Sequence, residues 1–396
     1  MNPGHIAVLP VIESLQASQA RHPLVGHRWL VAVSGGPDSM ALWRVAWITM
    51  QEQGGDLICG HVDHQLRPES GTDSEWVQQQ CAELGVRCLI EKVELPAQDG
   101  QRTAIEEQAR HARYAALTRI ARSVGATAVL TGHTADDHAE TVLHHLFRGT
   151  GLRGLSGIPE VRSLGEGLVL WRPLLSIRRE AIVACLHELH QSCLIDSSNS
   201  SDAFTRNRIR HELLPWLERE LNPRSVEALV RLAEQAAEQQ SWIEEEAERL
   251  LAAALVTPAT EVVRLHRSLL ATAHPVLARE CFVRLWVSQN WPRQAMTAEH
   301  WHRLVEVCPD HGPPAVQMPG GIDVRRRGER LVIAGSDQRS AISSQPSAIS
   351  GQPSAVSHQR SAISGQPSAV SHQPSAVSQR GSCVSLAWRL GTSAGT

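Results

Sequence analysis

Four short runs rich in β-branched and apolar residues, WLVAVS (29–34), DLICGHV (56–62), RCLIEKVEL (87–95) and ATAVLTG (126–132), alternate with helical spacings near 38–53, 73–85, 103–124 and 135–148. This alternation leaves few folds open, because successive strands joined through helices run parallel and a parallel sheet is covered by helices on both faces. The expected class is α/β. In such a sheet ligands sit beyond the carboxyl ends of the strands, so residues just after 34, 62 and 132 are where chemistry is expected.

Beyond residue 222 the pattern changes. Residues 223–255 read as one long helix rich in alanine and glutamate, opened by Asn222 and Pro223. Residues 260–335 show two helical patterns and then AVQMPGGIDVRRRGERLVIA, two strand-like runs with turn signals, which predicts a small α+β domain. From Ser340 a serine-alanine-isoleucine/valine-serine unit recurs every seven residues in six copies, usually closed by proline. Recurring proline and a single branched apolar residue per repeat forbid a coiled coil and predict a disordered tail. The expected division is 1–222 (catalytic), 223–258 (helical linker), 259–335 (small α+β domain) and 336–396 (tail).

Composition removes several alternatives. With 396 residues and 42% hydrophobic content the chain can bury a large core, and no apolar run approaches the length of a membrane span. The first residues lack the basic start and unbroken apolar stretch of a signal peptide, so a cytoplasmic chain is expected. Eight cysteines, at 59, 81, 88, 185, 193, 281, 308 and 383, never form a Cys-x-x-Cys pair, so they read as reduced and structural. Lys92 is the one lysine among 38 basic residues and has no glycine beside it, which excludes a Walker-type phosphate loop. A net charge of −3 gives no global argument for nucleic acid, so any RNA contact must be local.

Two motifs carry the chemistry. In VAVSGGPDSMALW, Gly35 and Gly36 permit close approach of a ligand to the backbone, Pro37 suits the first helical turn, and Ser34 and Ser39 add hydroxyls. Such a strand-to-helix turn is either plain capping or a phosphate seat made from helix N–H groups. In TGHTADDHAETVLHHLFRG (131–149), His133, Asp136 and Asp137 open the next helix and Asp136 and Glu140 share a face. First-turn acids complement a helix dipole, but beside a polyphosphate two like charges about 4 Å apart repel by roughly 4 kcal/mol at an effective dielectric near 20. The motifs can share a site only across a cation, for which Mg2+ held by Asp38 and Asp136 is the expected choice. His138 is expected to be exposed, and the adjacent His144 and His145 to face different ways, so a transition-metal site is not read here.

SGGPDS resembles the loop of the N-type ATP pyrophosphatases. Within that superfamily HVDHQLRPESGTDSEW (61–76), EEQARHARYAAL (106–117), GHTADDHAETVLHHLFRGTGLRGLSGIP (132–159), RPLLSIRREAI (172–182) and DSSNSSDAFTRNRIRHELLP (196–215) are together similar to the tRNA(Ile)-lysidine synthetase family. The resemblance implies an adenine nucleotide alpha hydrolase-like fold and a two-step ligation. The O2 of the wobble cytidine in a CAU anticodon attacks the ATP α-phosphate, pyrophosphate leaves, and the amine of free lysine then displaces AMP at C2. It implies ATP contacts from Ser34, Gly35, Gly36, Pro37, Asp38, Ser39, Asp63, His64 and His133, and catalytic roles for Asp38, Arg113, Asp136 and Asp137. Many members carry a histidine where Thr134 stands and a glutamine where His138 stands, so roles at those two positions are not carried over.

For RNA the expected contacts are Arg206, Asn207, Arg208 and Arg210 in FTRNRIRH, with VRRRGER (Arg325, Arg326, Arg327, Arg330) as either a second phosphate surface or a solvated hairpin. The partners implied are tRNA(Ile) bearing CAU and free lysine. The residues leave open whether the chain is a monomer or a homodimer. Two other functions compete: base thiolation by a related enzyme, whose iron-sulfur members use Cys-x-x-Cys pairs, and a non-catalytic tRNA-binding protein, which would have no use for Asp38.

Overall fold

The computed structural model describes residues 6–63, 70–93, 102–194, 205–256 and 262–335. His64 and the repetitive tail lie outside the described residues. The elements run α1 (Leu9–Arg21), β1 (Arg28–Ala32), α2 (Pro37–Gln53), β2 (Asp56–Asp63), α3 (Ser70–Glu83), β3 (Arg87–Lys92), α4 (Arg102–Ser123), β4 (Ala128–Leu130), α5 (Ala135–Phe147), α6 (Leu152–Leu155), β5 (Val161–Ser163), β6 (Val169–Trp171) and α7 (Arg179–Glu188). There follow α8 (Thr205–Arg208), α9 (Leu214–Glu220), α10 (Ser225–Ala254), β7 (Val262–His266), α11 (Arg267–Thr272), α12 (Pro275–Ser288), α13 (Ala298–Glu306), β8 (Ala315–Met318), β9 (Ile322–Arg327) and β10 (Arg330–Ala334).

The first sheet has strand order β3-β2-β1-β4-β6-β5, parallel throughout except for the antiparallel edge strand β5. The chain moves outward from β1 through β2 to β3 and then returns to place β4 on the other side of β1. The carboxyl ends of β1 and β4 therefore flank the topological switch point, where open α/β sheets form their crevice. Both sequence motifs follow these two strands.

One core, on the α2 side of this sheet, packs Trp29, Trp43 and Trp171, with Trp29 and Trp171 edge to face at 5.0 Å between ring centroids. Each of those two indoles buries with its N–H satisfied, Trp29 on Gly26 O and Trp171 on Ser18 Oγ. The opposite face packs Leu30, Leu117, Val129 and Leu170 under α4. A separate core joins α10, α12 and α13 to the second sheet, whose order is β7-β10-β9-β8, all antiparallel. The sequence reading anticipated two strands here; Met318-Pro-Gly-Gly splits the first run into β8 and β9, and β7 (VVRLH) completes the sheet. No helix among the described residues is long and apolar enough to cross a membrane.

Candidate active site

Gly35 adopts φ +89°, a conformation that residues with a Cβ avoid, and Gly36 caps α2 without a side chain to occupy its first-turn N–H groups. The Ser39 hydroxyl accepts from the Ser34 N–H at 3.2 Å and donates to Gly36 O at 2.9 Å, closing the loop on itself. The result is a turn whose backbone donors at the start of α2 face the sheet crevice, with Pro37 at the helix start contributing no N–H of its own. Gly132 brings the second motif against the first: a Cβ at that position would stand 2.6 Å from Asp38 O. Only a glycine lets the β4–α5 turn approach α2 this closely.

Thr134 caps α5 in a reciprocal box, its N–H donating to Asp137 Oδ2 at 3.0 Å. The other oxygen, Asp137 Oδ1, accepts from Arg210 Nη2 at 2.7 Å and lies 3.4 Å from Arg179 Nη2, which also donates to Asp38 Oδ2 at 3.1 Å. The Arg179 guanidinium bridges the two motifs, at a place where the sequence reading expected a Mg2+ ion. Burial pushes the Asp38 carboxyl up, against the opposing pull of Arg179. Burial also acts upward on Asp137, but the Thr134 N–H, Arg179 and Arg210 outweigh it and hold that carboxyl low.

Asp136 points elsewhere. It accepts from the Arg179 backbone N–H at 2.7 Å and pairs with Arg178 Nε at 3.3 Å, so it caps α7 while its neighbour meets Asp38. Successive helical residues diverge by about 100°, which is why Asp136 and Asp137 serve different partners. The carboxylate that shares a partner with Asp38 is Asp137, whereas the sequence reading paired Asp38 with Asp136.

Other expected site residues are placed as follows. Asp63 is buried at the carboxyl end of β2, one strand from the β1 turn. His133 follows β4, its Nδ1 3.0 Å from Thr131 Oγ1; burial, with Arg172 nearby, pulls its imidazole down to about 3, so it is neutral at pH 7. Arg113 is exposed on α4, its guanidinium 5.7 Å from the Tyr114 ring centroid, and it lies within electrostatic reach of His133. Arg110 and Arg162 also lie over that ring.

The arginines expected to meet RNA divide. Arg210 turns inward onto Asp137 and the fully buried Glu140, and Arg206 reaches Glu140 and Thr141. Arg208 is exposed with a single ion pair to Glu212, and Asn207 lies beside it on α8. Arg210 therefore belongs to the acidic centre rather than to an open phosphate surface. His138, expected to be exposed, is buried against Gly157, and that burial pulls its imidazole down to about 4.

Sequence reasoning missed Arg178 and Arg179. A signal was present: two arginines at the start of a helix oppose its dipole, so each needs a carboxylate from elsewhere. Arg172, 1% exposed with Nη1 on Pro159 O, was also missed because nothing in its local pattern marks a buried cation.

Behind the acidic centre opens a cleft of about 800 Å³ between α5, α7 and α9. Its charged rim holds Asp136, Glu140, Glu180 and Glu218 together with Arg178, Arg179 and Arg210, and its apolar wall includes Val183 and Leu214.

Residues 11–217 match the PP-loop domain family model. A tRNA(Ile)-lysidine synthase of Nostoc sp. is 31% identical over 335 residues, spanning 81% of this chain and 96% of its own. One of Gloeobacter violaceus is 38% identical over 273 residues (68% and 79%), and one of Geobacillus kaustophilus 31% identical over 328 residues (81% and 70%). The chain belongs to the tRNA(Ile)-lysidine synthase family. As a lysidine synthase family member it carries the PP-loop at 34–39 and the acidic centre at 134–140 on opposite sides of one switch point.

Proposed function

We propose that this chain ligates the side-chain amine of free lysine to C2 of the wobble cytidine in tRNA(Ile) bearing a CAU anticodon, consuming ATP through an adenylated cytidine. The observation that carries this reading is the meeting of the 34–39 loop and the α5 acids across Arg179 at the sheet crevice. The loop and the start of α2 supply backbone donors and dipole for the departing pyrophosphate. Ser34 and Ser39 add hydroxyls, and Asp63 and His133 line the neighbouring strand ends. Arg113, on the α4 side, provides positive charge for the transferring phosphate.

The residues fit a magnesium ion. Among the described residues Asp38 Oδ1 is buried with no hydrogen-bond partner, which leaves one carboxylate oxygen open to an ion, while Asp38, Asp136, Asp137 and Glu140 also meet four guanidiniums, Arg178, Arg179, Arg206 and Arg210. Asp38 and Asp137 would hold the ion, while the adjacent Asp136 faces α7; when bound the ion would neutralise phosphate oxygens.

Lysine fits the cleft behind the acids. Its aliphatic stem would lie along Val183 and Leu214, with the ammonium among Asp136, Glu140, Glu180 and Glu218. At neutral pH that amine must lose a proton before attack, its reference value being about 10.4. Burial pushes both Asp38 and Glu140 upward, the property a base in this site requires. ATP, free lysine and tRNA as substrates suit a cytoplasmic enzyme. Incubation with ATP, magnesium, labelled lysine and tRNA(Ile) bearing CAU should transfer label to RNA only when all four are present; label entering without ATP, or none entering, overturns the reading.

A further inference from the structure

Three of the cysteines converge. Cys59 on β2, Cys81 on α3 and Cys88 on β3 place their sulfur atoms within 4.8 Å of one another. Cys59 and Cys88 are direct register partners on neighbouring parallel strands, and α3 lays Cys81 over them. No Cys-x-x-Cys spacing announces the group, because the three residues come from three elements that meet only in the fold.

We propose that Cys59, Cys81 and Cys88 form a thiolate site for one soft divalent cation of the zinc class, separate from the acidic centre. The centre of a triangle with sides no longer than 4.8 Å lies within about 2.8 Å of every corner, and a zinc–thiolate bond is about 2.3 Å, so inward movement of roughly half an ångström per sulfur completes the contacts. A disulfide would use two of the sulfurs and leave the third unexplained. The all-sulfur donor set selects a thiophilic ion over magnesium, whose preference is for oxygen.

The surroundings suit a site that is buried on its core side and open at the sheet edge. Val31, Val33 and Val77 belong to the same core cluster as Cys59 and Cys81, while Cys88 is half-buried on the edge strand β3, which gives an ion a way in. Binding exchanges protons for metal: all three thiols release theirs to bulk water and coordinate as thiolates, which leaves one net negative charge on the centre, and a water reaching it past half-buried Cys88 takes the fourth position. No electron moves. Cys59 stands four residues before Asp63, about 13 Å along the strand, so the ion would clamp β3 and α3 to β2 without entering the crevice.

The test uses the full chain, reduced and stripped of metal, titrated with Cd2+ alone and followed by thiolate-to-cadmium ultraviolet absorption. One such ion per chain is expected, with the band kept in Cys193→Ser and lost in Cys81→Ala. A band that is absent, or that survives both Cys59→Ala and Cys81→Ala, overturns the proposal. Because Cys81→Ala removes volume from a packed core, the unaltered chain supplies a second reading. With Zn2+ added, alkylation of Cys59, Cys81 and Cys88 in dilute urea should slow at least tenfold relative to Cys281 and Cys308, and equal slowing at all five positions would also overturn it.

Discussion

The two oxygens of Asp38 stand in different circumstances. Oδ2 is held by Arg179 at 3.1 Å, while Oδ1 is buried without a hydrogen-bond partner among the described residues, a cost of about 1–3 kcal/mol that a ligand would offset. Asp38→Asn keeps the volume and removes the charge. It is expected to lower lysine ligation at least a hundredfold while tRNA affinity stays within about twofold, measured by label incorporation and filter binding. A variant whose function is untouched would favour a non-catalytic RNA-binding role, for which Asp38 has no use. His138 gives a prediction of a different kind. Its folded value of about 4 lies below the ordinary 6.5, so between those limits the unfolded chain binds more protons and stability falls as pH drops. The loss between pH 7 and pH 5 amounts to about 2 kcal/mol, and His138→Leu should abolish that share of the acid sensitivity in urea unfolding at the two pH values. At this scale the sequence disclosed the loop residues and the acids, since their types and spacing are local. It did not disclose that Asp137 rather than Asp136 joins Asp38, or that Arg210 faces inward, because each depends on the rotation of a helix against partners far along the chain.

Elements meet at the site through backbone proximity. The β4–α5 turn touches the first turn of α2 at Gly132, and α7 presents Arg178 and Arg179 from a helix start that the dipole disfavours. Gly132→Ala would push the two turns apart, since the added methyl meets Asp38 O and a backbone atom cannot swing away as a side chain would. The expected outcome is a fall in ligation rate of ten- to a hundredfold with a loss of about 1–3 kcal/mol in unfolding free energy; a fully active variant would show that the approach is unnecessary. Arg179→Ala, which leaves Asp38 and Asp137 facing each other without their shared guanidinium, should raise the magnesium requirement for ligation, read as a shift in half-saturation by the metal. The four long helices and four of the parallel strands were legible because periodicity persists over their length. The strands β5 and β6 were not; β4 is as short, but it stands in the strand–helix alternation, whereas β5 and β6 pair antiparallel with each other with no helix between them.

Across the whole molecule the charge is close to balanced, and recognition of a polyanion falls to where cations stand unneutralised. The acidic centre engages Arg178, Arg179 and Arg210 in ion pairs, which leaves less of their charge for an RNA phosphate. On the β9–β10 hairpin, Arg326 is spent on the carbonyls of Pro309 and Gly312, and Arg325 pairs with Asp323. Arg327 and Arg330 remain exposed and directly opposite each other across the strands, a like-charge pairing that costs stability by itself. The turn between them is braced from below by the buried Arg267, which donates to Gly328 O at 2.7 Å and to Cys308 O at 3.0 Å. A rigid tip carrying two adjacent, mutually repelling guanidiniums is relieved by a phosphate seated between them. Replacing both Arg327 and Arg330 with alanine should therefore weaken tRNA binding and reduce the slope of log affinity against log salt by about two. The turnover number at saturating tRNA should hold, because the acidic centre lies on the other sheet. An unchanged salt slope would mean that the hairpin faces solvent in the complex and that tRNA is gripped from elsewhere, with exposed Arg208 the next cation to replace.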